Sequence, residues 1–255
     1  MSRVLVTGSA DGLGKLSAAQ LVGEGHEVVL HARSEDRGRE ALTAVPGAAG
    51  VLTADLASIA QTRALAERAN ESGRFDAVIH NAALGYQVSG RSETEDGLAA
   101  LFAVNVLAPY LLTALMTRPD RLIYLSSGMH TGGDPSLDDL QWRDRRWSGT
   151  QAYSDSKLFD LVLAFAVARL WPDVYSNAVT PGWVATRMGG PGAPDDLALG
   201  ADTQAWLAVS DDPAARVSGR YLYHRTERPA DPAASDPALQ DGLLAVCAQL
   251  SGVEL

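Results

Sequence analysis

Arg3-Val4-Leu5-Val6 opens a series of short runs that are apolar at successive positions instead of alternating. Runs of this kind fall at 3–6, 27–30, 50–53, 75–79, 121–125, 174–179 and 220–223, and helical patterns at 14–24, 35–44, 59–69, 94–116, 150–170 and 203–210 lie between them. A strand that is apolar on both sides must be covered on both sides, and helices between such strands provide the cover and the crossovers that parallel pairing needs. The expected fold class is therefore α/β, a single-domain doubly wound parallel sheet of about seven strands over residues 1–255. Segments 130–149, 183–200 and 225–236 break the rhythm, the second rich in Gly and Pro like a mobile loop, and a final amphipathic helix follows the third.

Composition narrows the function. The net charge of -10 repels phosphate backbones, so no nucleic-acid partner is expected. A single cysteine, Cys247, allows neither an internal disulfide nor a cysteine metal site, and the five histidines lack paired ligand spacing, so no metal is expected. The longest greasy stretch, 158–170, carries Asp160 and is well short of the ~20 residues of a membrane span. No signal peptide is evident and a cytoplasmic protein is expected. The basic side holds 19 Arg but only two Lys, Lys15 and Lys157.

The first strand runs into Thr7-Gly8-Ser9-Ala10-Asp11-Gly12-Leu13-Gly14 and then a helix. Glycines at 8, 12 and 14 allow a sharp turn and close approach of a ligand, and the helix N-terminus favours a pyrophosphate. The spacing is T-G-x-x-x-G-x-G, not G-x-G-x-x-G, and it resembles the short-chain dehydrogenase/reductase family, which implies a Rossmann-type fold. At the end of the second strand, where NAD readers place an acid for the ribose 2′-hydroxyl, the chain has His31-Ala32-Arg33-Ser34. NADP(H) is accordingly expected in preference to NAD(H), with Arg33 on the 2′-phosphate. Further resemblance implies cofactor contacts from Asp55-Leu56, from Asn81-Ala82-Ala83 (N-A-G in the family, so Ala83 adds a methyl beside the cofactor), and from Pro181, Gly182, Val184 and Thr186.

Tyr153-Ser154-Asp155-Ser156-Lys157 begins a long helix, and residues four apart share a helix face. A cation ~5 Å from a phenol, at an effective dielectric near ~20, favours phenolate by roughly 3 kcal/mol, about two pK units. That suits Tyr153 for proton transfer near neutrality. Lysine rather than arginine at 157, in a chain that prefers arginine, fits a compact cation able to donate to ribose hydroxyls. The family resemblance adds Ser127, with Ser126 as its rival, on the reacting oxygen, and Asn105 holding a water in a relay toward Lys157. Ser127 and Tyr153 are 26 positions apart, about twice the spacing of many members. That insertion, about 130–149, resembles the branch of retinol dehydrogenases and protochlorophyllide reductases. Its Trp142 and Trp147 either wall the substrate pocket or pack a surface flap.

These residues point to an NADP(H)-dependent oxidoreductase acting on a carbonyl or alcohol of a small apolar substrate. Tyr153 moves the proton, Ser127 orients the oxygen, Lys157 binds ribose, Asn105 connects to water, and a lid at about 183–200 covers the site. Tyr86, Met129, His130 and Trp183 are pocket-lining candidates by position. The resemblance also implies a homodimer or homotetramer. The alternative of a catalytically silent nucleotide-binding sensor or scaffold needs the glycine turn but not the tetrad. Extended-branch epimerases carry a different glycine spacing, and no G-x-S-x-G occurs to support an α/β-hydrolase.

Overall fold

In the computed structural model, which describes residues 1–255, eight strands form one sheet in the order β3-β2-β1-β4-β5-β6-β7-β8. The strands are β1 (Arg3–Val6), β2 (Glu27–Ala32), β3 (Gly50–Thr53), β4 (Ala77–His80), β5 (Arg121–Leu125), β6 (Tyr175–Val179), β7 (Tyr221–Tyr223) and β8 (Thr226–Glu227). All neighbours are parallel except β7 and β8. The helices are α1 (Gly12–Gly23), α2 (Glu35–Ala44), α3 (Ile59–Glu71), α4 (Ala100–Phe102), α5 (Ala108–Leu115), α6 (Gly149–Leu170), α7 (Leu197–Val209) and α8 (Pro237–Ser251). Side-chain hydroxyls or carboxylates cap their starts: Ser34 for α2, Ser58 for α3, Ser148 for α6, and Asp236 ahead of Pro237 for α8.

Pleating sends alternate residues to opposite faces, and each face has its own core. Leu5, Val78, Leu122 and Tyr124 pack under α3, α5 and α6 against Leu65, Leu111 and Leu158. Val4, Val6, Ile79 and Ile123 pack under α1, α2 and α7 against Leu21, Ala41 and Trp206. The strand order reverses direction between β1 and β4, the switch point at which open α/β sheets bind ligands.

Three expectations need correction. The sheet has eight strands, not seven, because β7 and β8 form a hairpin whose turn residues His224 and Arg225 sit at φ 47° and 58°. Such turns usually carry Asn-Gly, so the pair gave no signal. The expected helix 94–116 starts only at Ala100, after a turn closed by Gly97 (φ 74°), and widens into a π-helical turn at Ala103–Leu107. Pro109 has no N–H for the carbonyl of Asn105, four residues back, which accounts for the widening. Finally, the loop after β6 ends at Asp196, whose carboxylate caps α7, so residues 197–200 of the expected loop belong to the helix, which was expected to start near Thr203.

Candidate active site

The glycine-rich turn after β1 is built by packing within the protein. Asn81 Nδ2 donates to the carbonyls of Thr7 (2.8 Å) and Gly8 (3.2 Å), and the Thr7 hydroxyl accepts the N–H groups of Asn81 and Ala82. His31 Nδ1 accepts the Gly8 N–H at 3.0 Å while Nε2 faces the Ala54 carbonyl, so the buried ring is neutral. Burial pulls the His31 pKa down to about 4, against the pull of the Ala54 carbonyl.

The three glycines have different reasons. A Cβ on Gly8 would lie 2.8 Å from the Ala82 Cα, and one on Gly14 would lie 2.4 Å from Asn81 Nδ2 and 2.6 Å from the Gly8 carbonyl. Gly12, at φ 52°, faces only a Thr186 methyl at 3.7 Å. The open space above Gly12, with the Leu13 and Gly14 N–H groups free of carbonyl partners, fits a pyrophosphate. Ser9 is buried, its hydroxyl accepting the His31 N–H, and thus braces the turn from within. Gly14→Ala should lower stability by about 1–3 kcal/mol, the cost of overpacking against backbone, visible as a lower melting temperature even without ligand.

Exposed Arg33 follows β2 and forms no ion pair. It lines a cleft of about 460 Å³ with Ser34, Thr53, Ala54, Gln61 and Arg68. Acidic Glu35, Glu67 and Glu71 share that cleft, with Glu35 hydrogen-bonded to the Thr53 hydroxyl. Asp55 uses its carboxylate on the Ala57 N–H and takes up Gln61 through its own N–H, while Leu56 is buried in the core. Ala83 is half-buried in the segment that follows β4. Lys15 lies one residue beyond Gly14 on the first turn of α1.

The ends of β5 and α6 are stitched together. Ser126 is buried and its hydroxyl donates to the Lys157 carbonyl at 2.7 Å. The Ser127 hydroxyl accepts only the Met129 N–H, which caps a 3₁₀ turn at Gly128–Gly132, and its proton is uncommitted. Tyr153 is 6% exposed and packs against Leu101, Trp142 and Ala152, with Tyr86 meeting its ring edge-on at 5.7 Å. Its hydroxyl bonds to no protein group, whereas buried Tyr110 and Tyr124 bond Val253 and Thr113. Lys157 Nζ lies 5.6 Å from the centre of the Tyr153 ring.

Asn105 sits within the π-helical turn. Its amide donates to the Leu84 carbonyl (3.1 Å) and to Ser156 Oγ (3.0 Å), and accepts the Leu84 N–H (2.8 Å). Ser156 in turn donates to the Tyr153 carbonyl at 2.8 Å, so Asn105 clamps the loop after β4 to the helix bearing Tyr153. Both amide hydrogens are spent, which leaves any contact with a relay water to the remaining acceptor positions.

The insertion is anchored. Arg145 lies over the Trp142 ring at 3.7 Å and pairs with buried Asp155 at 2.8 Å, two residues from Tyr153. Trp142 is held at φ 53°, and Trp147 meets it edge-on while donating to the Val88 carbonyl. Met129, Met188, Tyr86 and Val88 complete an apolar cluster around Tyr153. One expected pocket residue lies elsewhere. His130 is buried, bonding the Ser127 carbonyl through Nδ1 and the Asp231 N–H through Nε2, and it packs on Tyr221. Trp183 is 55% exposed and donates to the Gly189 carbonyl.

Beyond β6, Gly182 at φ 82° places Trp183 N–H on Asp195, Val184 is buried, and the Thr186 hydroxyl accepts the Gly189 N–H. Pro181 contributes its carbonyl beside Gly200 at the start of α7. Two groups escaped sequence reasoning here. Asp11, which caps α1, pairs with Arg187 at 2.6 Å and with Arg37 at 3.6 Å, joining the glycine turn to the loop after β6. The other is Asp160, which bonds Lys157. Their signal was present only as charges in otherwise explained segments.

A glycine cradle at the switch point of a parallel sheet, next to a Tyr–Lys pair with a free phenol, defines a nicotinamide-dependent oxidoreductase. The comparisons agree. A family model described as short chain dehydrogenase matches residues 2–127. An uncharacterized oxidoreductase of Emericella nidulans is 45% identical over 257 residues, covering 99% of this chain and 98% of that protein. Retinol dehydrogenase 13 of Homo sapiens is 30% identical over 286 residues, 98% of this chain and 85% of its own. The crystal structure of an uncharacterized protein from Mycobacterium paratuberculosis superposes with a TM-score of 0.84 at 27% identity, covering 100% of this chain and 94% of that one. The chain belongs to the short-chain dehydrogenase/reductase family.

Proposed function

We propose that the protein is an NADP(H)-dependent carbonyl reductase, reversible as an alcohol dehydrogenase, for a small apolar substrate. The observation that carries this reading is the Tyr153 hydroxyl: nearly enclosed, free of protein partners, and on the same helix face as Lys157. When bound, the dinucleotide supplies or accepts the hydride. Tyr153 gives its phenolic proton to the nascent alkoxide, or takes the alcohol proton in the reverse direction. Ser127, with its hydroxyl proton uncommitted, donates to the same oxygen. Lys157 keeps one ammonium hydrogen for ribose beyond the two spent inside the protein. Asn105 fixes the loop that carries Tyr86 relative to Tyr153.

The wall of Tyr86, Trp142, Trp147, Met129 and Met188 favours an apolar substrate, because a polar one would leave its own groups unpaired there. Arg33 supports the choice of NADP(H): it is free of ion pairs and stands where an acid would repel the 2′-phosphate. Arg33→Ala should weaken NADPH binding by about 10- to 100-fold, the worth of one charged hydrogen bond, and leave NADH almost unaffected. Fluorescence titration with both coenzymes reads this directly; equal losses for the two would point away from a 2′-phosphate contact. The reading includes self-association as a dimer or tetramer, measurable by light scattering. No helix is long and apolar enough to cross a membrane.

A further inference from the structure

Lys157 Nζ donates to the Leu125 carbonyl at 2.7 Å and to Asp160 Oδ2 at 2.7 Å, and the two charged side chains are 3% and 4% exposed. Tyr153, Lys157 and Asp160 recur at i, i+4 and i+7 of α6 and so share one face. A buried carboxylate in contact with a buried ammonium turns the isolated cation into a dipole, whose field falls off much faster with distance than that of a single charge.

We propose that Asp160 is a positioning residue: it holds the Lys157 ammonium against β5 and offsets about half of its charge as felt by Tyr153, so that it sets the pH range in which Tyr153 exchanges its proton. The inference rests on Tyr153 being the proton-transfer group. Burial pushes the Asp160 carboxyl up to about 6, with Lys157 pulling it back down, so near neutrality and above the pair is ionised. Burial also opposes the Lys157 charge, but Asp160 and Tyr153 outweigh it and the ammonium is stabilised.

The neighbours leave this pair as the dominant field. From β4, His80 is held neutral by burial, its pKa down to about 3. From β5, burial raises the Tyr124 phenol, and Asp160 raises it further. From α6 itself, Asp155 is matched by Arg145 of the insertion. Tyr86, in the loop after β4, meets Tyr153 edge-on, and His130 is bound at both ring nitrogens to backbone.

The test is the pH profile of kcat/KM for NADPH-dependent carbonyl reduction, which falls as the Tyr153 phenol is lost. Asp160→Asn keeps an oxygen acceptor for Lys157 but removes the negative charge, so the midpoint of that fall should move down by about one pH unit. Asp160→Glu keeps the charge and should restore the original midpoint. A folded Asp160→Asn protein with an unmoved or raised midpoint overturns the proposal. Should Asp160→Asn not fold, Asp160→Ser, which also removes the charge, decides in the same way, and an unmoved or raised midpoint in that variant overturns the proposal. If Tyr153→Phe still turns over normally, the functional reading itself fails; a dead Tyr153→Phe with an unmoved Asp160→Asn midpoint overturns this inference alone.

Discussion

Tyr153→Phe should lower kcat/KM for carbonyl reduction by about a hundred- to ten-thousand-fold while leaving the fold and NADPH affinity close to those of the parent. The expectation follows from what the hydroxyl does not do. It bonds no protein group, so its loss breaks no internal hydrogen bond, and the ring that remains still fills the space beside Leu101, Trp142 and Ala152. Most tyrosines this enclosed hold structure together. Tyr110 fastens the Val253 carbonyl, and Tyr124 shares a buried hydrogen bond with Thr113 beneath the sheet. Removing those hydroxyls would cost stability without touching chemistry directly. For Tyr153 the pattern reverses: a melting temperature near the parent value combined with collapsed turnover is the signature of a proton donor. Near-normal turnover would remove Tyr153 from the mechanism.

The second large effect is acid lability. His31 and His80 are buried as neutral rings, with pKa values near 4 and 3 because burial disfavours the imidazolium. In the unfolded chain both titrate near ~6.5. Between these values the unfolded state binds protons that the folded state refuses, so stability is intact above about pH 6.5 and falls as the pH drops toward 4. By pH 4 each histidine costs about 3 kcal/mol. Asp160 acts in the opposite sense, since its folded pKa of about 6 lies above the ordinary carboxylate value and protonation in the folded state returns nearly as much as one histidine removes. The net loss is roughly 4 kcal/mol, a large share of a typical domain's stability. Urea unfolding at pH 7 and pH 4.5 should show a clear drop in midpoint; constant midpoints would mean that the rings are hydrated or charged in the folded protein. His80→Gln or His31→Gln, where the variant folds, should flatten the dependence.

The two histidines also illustrate what can be read from a sequence. The β strands were legible because parallel strands are apolar at every position, and β1, β3, β5 and α2 have the expected limits. His31 and His80 interrupt otherwise apolar runs, yet nothing local shows that one ring grips the Gly8 N–H and the other stacks on Tyr124, because both partners arrive from other strands. Gly14 was read as room for a ligand, whereas its closest neighbours are Asn81 and the Gly8 carbonyl, a packing need that spans 67 positions of chain. Local chemistry did announce Tyr153 and Lys157 through their spacing. The charge on Lys157 was counted alone, however, and Asp160 was noticed only as a break in a greasy helix. Its meaning depends on the closure of α6 over β5, which buries both groups together.

The choice between Ser126 and Ser127 shows the same limit from the other side. Neighbouring serines at the end of a strand look alike in sequence, and strand alternation alone separates them. Ser126 turns inward and gives its proton to the Lys157 carbonyl; Ser127 faces the opposite way and keeps its proton. The eighth strand was hidden because its turn sets His224 and Arg225, not Asn or Gly, at left-handed positions, and the late start of the helix at Ala100 because Gly97 closes a turn inside an otherwise helical pattern.

The most direct measurement of the central claim is isotope transfer. The purified enzyme would be incubated with NADPH carrying deuterium at nicotinamide C4 on one face and a panel of apolar ketones and aldehydes, and the products examined by mass spectrometry. The account predicts alcohol product bearing a single deuterium on the former carbonyl carbon from one of the two stereochemically labelled coenzymes, formed at least about a hundredfold more slowly with Tyr153→Phe. Coenzyme bound with ordinary affinity but no labelled alcohol from any member of the panel would contradict it and favour a silent nucleotide-binding protein on the same fold.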